Sequence, residues 1–86
     1  MNVDFSGKEN TLIIRHRDTP GMIALVTGAL ASRQMNIATM QVFRRDAGAE
    51  AIMVLELDTP LTPELLTELR QLHDVMDATF LARRDD

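Results

Sequence analysis

The sequence predicts an α+β sandwich, a four-stranded antiparallel sheet carrying two helices on one face, in the order β-α-β-β-α-β. Three observations lead there. Two short apolar runs, Leu12 to Ile14 and Ile52 to Leu55, read as strands covered on both faces. Each half of the chain reads as a strand, a helix and a strand. The halves meet at Asp46-Ala47-Gly48-Ala49, a turn with glycine where a positive φ could be needed. Right-handed crossovers then place both helices on one face and make the first and third strands central, a ferredoxin-like arrangement.

Thr11 to Arg17 is the first strand, short and rich in β-branched residues, after a polar stretch containing Gly7. Asp18-Thr19-Pro20-Gly21 stops it and opens a helix. Proline biases Thr19 away from the helical region, which suits Thr19 to the N-cap and Pro20 to the first helical position. Helical periodicity runs from Pro20 to about Met35, with Ile23, Val26 and Leu30 on one face and Met22 and Ala29 beside them. Asn36 reads as a left-handed stop. In the second strand, Ile37 to Arg45, Ala38, Met40 and Val42 alternate with Thr39, Gln41 and Phe43. In the third, Glu50 to Asp58, Ala51, Met53, Leu55 and Leu57 oppose Ile52, Val54 and Glu56. Thr62-Pro63-Glu64 repeats the cap pattern, with an acid where the helix dipole favours it. Leu65, Leu66, Leu69 and Leu72 give that helix its stripe, and Val75 to Leu81 is the fourth strand. The expected organisation is a lead-in over 1–10, a domain over 11–82 and a polar tail over 83–86.

Eighty-six residues hold one small domain. Thirteen acids against nine bases leave a net charge of −4, which argues against a nucleic-acid binder. The absence of cysteine excludes disulfides, thiolate metal sites, iron–sulfur ligation and a cysteine nucleophile within the chain. No apolar stretch approaches the roughly 20 residues that span a bilayer, and Met1 to Phe5 lacks the basic start and apolar run of a signal peptide. A soluble, cytoplasmic chain is expected.

Catalytic groups are sparse. His16 and His73 lack metal-ligand spacing, and Ser6 and Ser32 fall in a lead-in and on a helix back. Glycines at 7, 21, 28 and 48 make no phosphate loop. The central strands carry no aromatics on which nucleic-acid bases could stack. Arg15 or Arg17 could serve an acylphosphatase-like site by residue type, but the glycine-rich cradle of such a site is missing. Ile13, Phe43, Ile52 and Val54 fall on the sheet face opposite the helices. Either a partner covers that face, a second copy or another domain, or the lead-in with Phe5 does so in part.

The most specific local signal is His16-Arg17-Asp18-Thr19-Pro20-Gly21. The first amides of a helix carry partial positive charge suited to a carboxylate, and Gly21 keeps a side chain out of the way. Asp18 supplies the opposite charge for an ammonium. A short zwitterion, an α-amino acid, fits both. Taken alone, the same residues also read as a common helix cap, and Asn36-Ile37 as a helix terminator.

His16-x-Asp18-x-Pro20-Gly21, the apolar helix, Asn36-Ile37-Ala38 and the third strand ending at Asp58 together resemble the ACT domain, a ferredoxin-like regulatory module of amino-acid metabolism. Thr11-Leu12-Ile13, Asp18 to Ala24, Asn36 to Met40 and Ala51 to Val54 are similar, more narrowly, to the C-terminal ACT domain of the β subunit or region of bacterial iron–sulfur-dependent L-serine dehydratase. The resemblance implies no catalysis by this chain, a homodimer often formed side by side, and an amino-acid ligand, L-serine foremost. The implied ligand-binding residues are His16, Asp18, Pro20, Gly21 and Met22, with Asn36 and Ile37 contributed by the partner copy. Asp18 stands where related serine-binding domains carry Asn. It also implies a catalytic partner holding a [4Fe–4S] cluster outside this chain, and no cofactor within it. The alternatives are a purely structural dimerisation module and the regulatory ACT domain of another amino-acid enzyme such as phosphoglycerate dehydrogenase.

Overall fold

The computed structural model describes residues 9–44 and 49–84. The expected turn at 46–48, nearly all of the lead-in with Phe5, Ser6 and Gly7, and the end of the tail lie outside the described residues. The elements are β1 (Asn10–Arg17), α1 (Met22–Ser32), β2 (Ile37–Arg44), β3 (Glu50–Leu57), α2 (Pro63–Arg70) and β4 (Val75–Leu81). The sheet order is β2-β3-β1-β4, every pairing antiparallel, so β1 and β3 are central as their apolar runs require.

Register sorts the side chains. Leu12 faces Leu55 and Phe80, and Ile14 faces Met53 and Ala78. These residues meet Val26 and Leu30 of α1 and Leu65 and Leu69 of α2 in one core. Each fully buried aliphatic side chain there contributes about 1.5–3 kcal/mol. On the opposite face Ile13 lies against Val54, and Phe43 against Ile52, the last 41% exposed.

α2 starts as its sequence dictates, with Thr62 Oγ1 accepting the Leu65 amide at 3.2 Å, Pro63 first in the helix and Glu64 in the first turn. α1 does not. It begins at Met22, two residues after the expected Pro20, and its N-cap is Gly21 at φ 87°. Thr19 leaves the cap because its hydroxyl donates to Asp74 Oδ2 at 2.8 Å, across to the α2–β4 turn. The stripe that α1 buries is Met22, Val26 and Leu30, spaced by four, while Ile23 is 47% exposed rather than in the core.

The stop after α1 is also displaced, from Asn36 to Gln34 at φ 59°. The Gln34 amide donates to Ala31 O and the Met35 amide to Leu30 O, the paired bonds of a Schellman ending. Met35 packs against the core, so the chain must reverse one residue earlier. The alternation expected in β2 fails at Ala38. The pairing steps from Ile37↔Leu57 to Thr39↔Glu56, which leaves Ala38 as the extra residue of a bulge and turns Ile37 to the helix face with Met40 and Val42.

Candidate functional site at the end of the first strand

His16 is the last residue of β1 to point toward the helices, opposite Ala51 and 2% exposed. Its Nδ1 lies 2.7 Å from Arg17 O. A carbonyl only accepts, so Nδ1 carries the proton, and in the neutral ring Nε2 is left as an acceptor. Nε2 is buried and has no hydrogen-bond partner among the described residues. Such a group costs about 1–3 kcal/mol unless something meets it.

Next to this ring is a cleft of about 210 Å³, bounded by His16, Asp18, Gly21, Met22, Val42 and Arg44 among others. It is smaller than the roughly 300–1,000 Å³ of sites for drug-sized ligands, and suits a smaller molecule. The first turn of α1 opens onto it. That turn has no side-chain cap and no acidic residue, whereas α2 has both. The amides of α1 thus offer donors to an anion, while His16 Nε2 and the Asp18 carboxylate offer acceptors along the same cleft.

Asp18 is fixed on two sides. Its amide donates to Ala49 O at 2.9 Å, and its carboxylate, 12% exposed, takes Arg44 Nε at 3.0 Å. The loop that carries it is tied down at Asp74, which sits in the left-handed region at φ 65°. Asp74 receives Thr19 Oγ1, lies 3.9 Å from Arg17 Nε and 3.4 Å from His73 Nε2, and its carbonyl accepts the Arg17 amide at 2.9 Å. A β-bulge in the β1–β4 pairing falls beside His16, with Met76 as the extra residue on β4, while β1 keeps an unbroken register with β3.

Five of the expected site residues, His16, Asp18, Pro20, Gly21 and Met22, border this one cleft. Asn36 and Ile37 do not. They stand at the far end of β2, with Ile37 about 20 Å from Arg44 for the six steps of β3 between their partners Leu57 and Ala51. There Asn36 Nδ2 donates to Asp58 Oδ2 and Asn36 O accepts the Asp58 amide. Arg44 and Asp74 were missed from sequence. Continuing the alternation from Met40 and Val42 would have put Arg44 on the helix face beside the loop; Asp74 left no signal beyond an Asp after a helix.

A second, larger cleft of about 470 Å³ lies on the open sheet face, between Phe43, Ile52 and the Arg15–Glu50 ion pair. None of the buried, unpartnered side-chain atoms among the described residues belongs to its lining. Among those residues there is also no cluster of three or more His, Asp or Glu able to hold a metal. No helix among them is long and apolar enough to cross a membrane.

The fold, the strand-end loop and the uncapped helix define a regulatory domain of the ACT family, to which this chain belongs: the ACT domain model matches residues 10–74. Over 81 residues, 94% of the chain, it is 38% identical to D-3-phosphoglycerate dehydrogenase of Bacillus subtilis, and it spans 15% of that enzyme's length. It is 34% identical over 77 residues to the probable L-serine dehydratase beta chain of the same organism, covering 90% of this chain and 35% of that one. The ACT domain from GTP pyrophosphokinase of Chlorobium tepidum has the same fold, with a TM-score of 0.67 at 23% identity over 84% of this chain and 95% of that one.

Proposed function

We propose that this chain is the amino-acid-sensing part of a larger cytoplasmic enzyme, binding L-serine in the His16 cleft of a homodimer and passing its occupancy to a catalytic domain. The observation that carries this reading is the His16 Nε2 acceptor, buried without a partner among the described residues, beside the uncapped first turn of α1. Donors and acceptors bordering one cleft complement a zwitterion. Serine adds a hydroxyl able to donate to Nε2.

The dimer is supported by the separation of Asn36 and Ile37 from the cleft. β2 is an edge strand with an unpaired row of backbone groups, and it carries exposed Met40 and Val42 on the helix side, where Val42 shares the cleft with exposed Ile23 of α1. Antiparallel pairing of β2 with its own copy, about a two-fold at Gln41, sets Met40 opposite the partner's Val42 and, through the bulge at Ala38, the partner's Ile37 opposite Arg44. The partner's Asn36 then borders the cleft. Occupancy shifts the equilibrium toward the paired arrangement by linkage. The other edge, β4, is overlaid by α2, whose Arg70 Nε donates to Ala78 O at 3.0 Å.

L-Serine dehydratase is the proposed host, with its [4Fe–4S] cluster held outside this cysteine-free chain. A second host, D-3-phosphoglycerate dehydrogenase, is favoured by the 38% identity and keeps the same mechanism. Titration calorimetry of L-serine, with D-serine and glycine as controls and mass from light scattering in the same buffer, tests the reading. Saturable heat selective for the L form from a dimer, lost in Asp18→Ala, is the expected result. No heat at millimolar L-serine from a folded dimer would leave a structural dimerisation module instead.

A further inference from the structure

We infer that Arg44 is a built-in competitor for the ammonium place of the site, and that a ligand enters only by displacing it from Asp18; this rests on the amino-acid-binding reading above. Among the described residues Asp18 is the one carboxylate that borders the cleft, and the Arg44 guanidinium already occupies it at 3.0 Å. The two partners are unequal. Asp18 is 12% exposed and held by its backbone to Ala49, while Arg44 is 64% exposed on the last residue of an edge strand. The carboxylate is therefore the fixed half of the pair and the cation the mobile half.

Arg44 also has somewhere to go. The residue borders both clefts, the one at α1 and the one on the open sheet face, where Glu50 stands 3.6 Å from Arg15. A ligand ammonium on Asp18 releases the guanidinium toward that second carboxylate. Binding at the helix face thus moves one positive charge toward the opposite face of the sheet. A carboxylate ligand without an ammonium has nothing to exchange for Arg44 and leaves the pair closed.

The experiment titrates the full chain with L-serine and with 3-hydroxypropanoate, which lacks the ammonium, in wild type, Arg44→Ala and Arg44→Lys. The Arg44 Nε–H resonance is followed by NMR in the wild type. Removing the competitor is expected to tighten L-serine binding about fivefold, the upper range for a partly exposed ion pair. Arg44→Lys restores a cation and stays within about twofold of wild type. 3-Hydroxypropanoate binds wild type far more weakly than L-serine, and the Nε–H resonance moves in step with L-serine saturation. Weaker L-serine binding in Arg44→Ala, or a resonance that stays in place at saturation, makes Arg44 a ligand contact or a strut and overturns the inference. Silence of wild type and both variants toward L-serine sinks the functional reading itself and the competitor with it. That failure is told apart because the wild type binds in every other outcome.

Discussion

Two glycines in α1 should respond to the same substitution with opposite signs. At both Gly21 and Gly28 an added Cβ would meet no atom within 4 Å, so packing is silent and only backbone conformation differs. Gly28 lies inside the helix, where glycine costs about 0.8–1.0 kcal/mol against alanine; Gly28→Ala should stabilise the domain by that much. Gly21 is the N-cap at φ 87°, where an L side chain costs about 1–2 kcal/mol. The reduced freedom of the unfolded chain returns about 0.4–1 kcal/mol, which leaves Gly21→Ala destabilising by about 1 kcal/mol. Urea unfolding at one fixed protein concentration reads the difference. With a slope of about 1–1.5 kcal/mol/M, the midpoints move by about 0.7 M in opposite directions and the slope stays unchanged. Midpoints that move the same way would refute the reasoning. A loss at Gly28 would mean that another chain's backbone packs against the outer face of α1.

Thr62→Ala removes a true N-cap and should cost about 1 kcal/mol in the same assay, with Thr62→Ser recovering most of it. Thr19 acts through Asp74, so a double-mutant cycle of Thr19→Ala with Asp74→Ala should give a coupling of about 1 kcal/mol; zero coupling would return Thr19 to a capping role. Met40→Lys sets two like charges beside the proposed two-fold and should yield a folded monomer by light scattering, whereas an unchanged dimer mass would move the interface away from β2.

Much of this architecture was legible because it is periodic. The alternation in β3 separates Met53 and Leu55 from Ile52 and Val54 in the sequence as it does in the sheet. Leu65, Leu66 and Leu69 mark the inner face of α2, and Leu72 just past its end, without help from the rest of the chain. The cleft was legible for a related reason: His16, Asp18, Gly21 and Met22 are near neighbours in sequence, and one strand end and one helix start bring them together. What was missed depends on distant residues. Thr19 has the right chemistry for a cap, but Asp74, 55 residues on, claims its hydroxyl. Asn36 has the right chemistry for a left-handed stop, but burial of Met35 puts the reversal at Gln34. Asp18 looked available to a ligand until Arg44, 26 residues later, was seen to hold it.

Asp74 has a consequence for how the domain opens. Loops that carry binding residues usually sit at the low end of local stability and fluctuate apart from their scaffold. Here the Arg17 amide, the Thr19 hydroxyl and the Arg17 guanidinium all converge on one residue of the α2–β4 turn. The strand-end loop cannot unfasten without disturbing that turn. The two segments should therefore exchange their amide hydrogens as a single cooperative unit, with one opening free energy shared between opposite ends of the sequence.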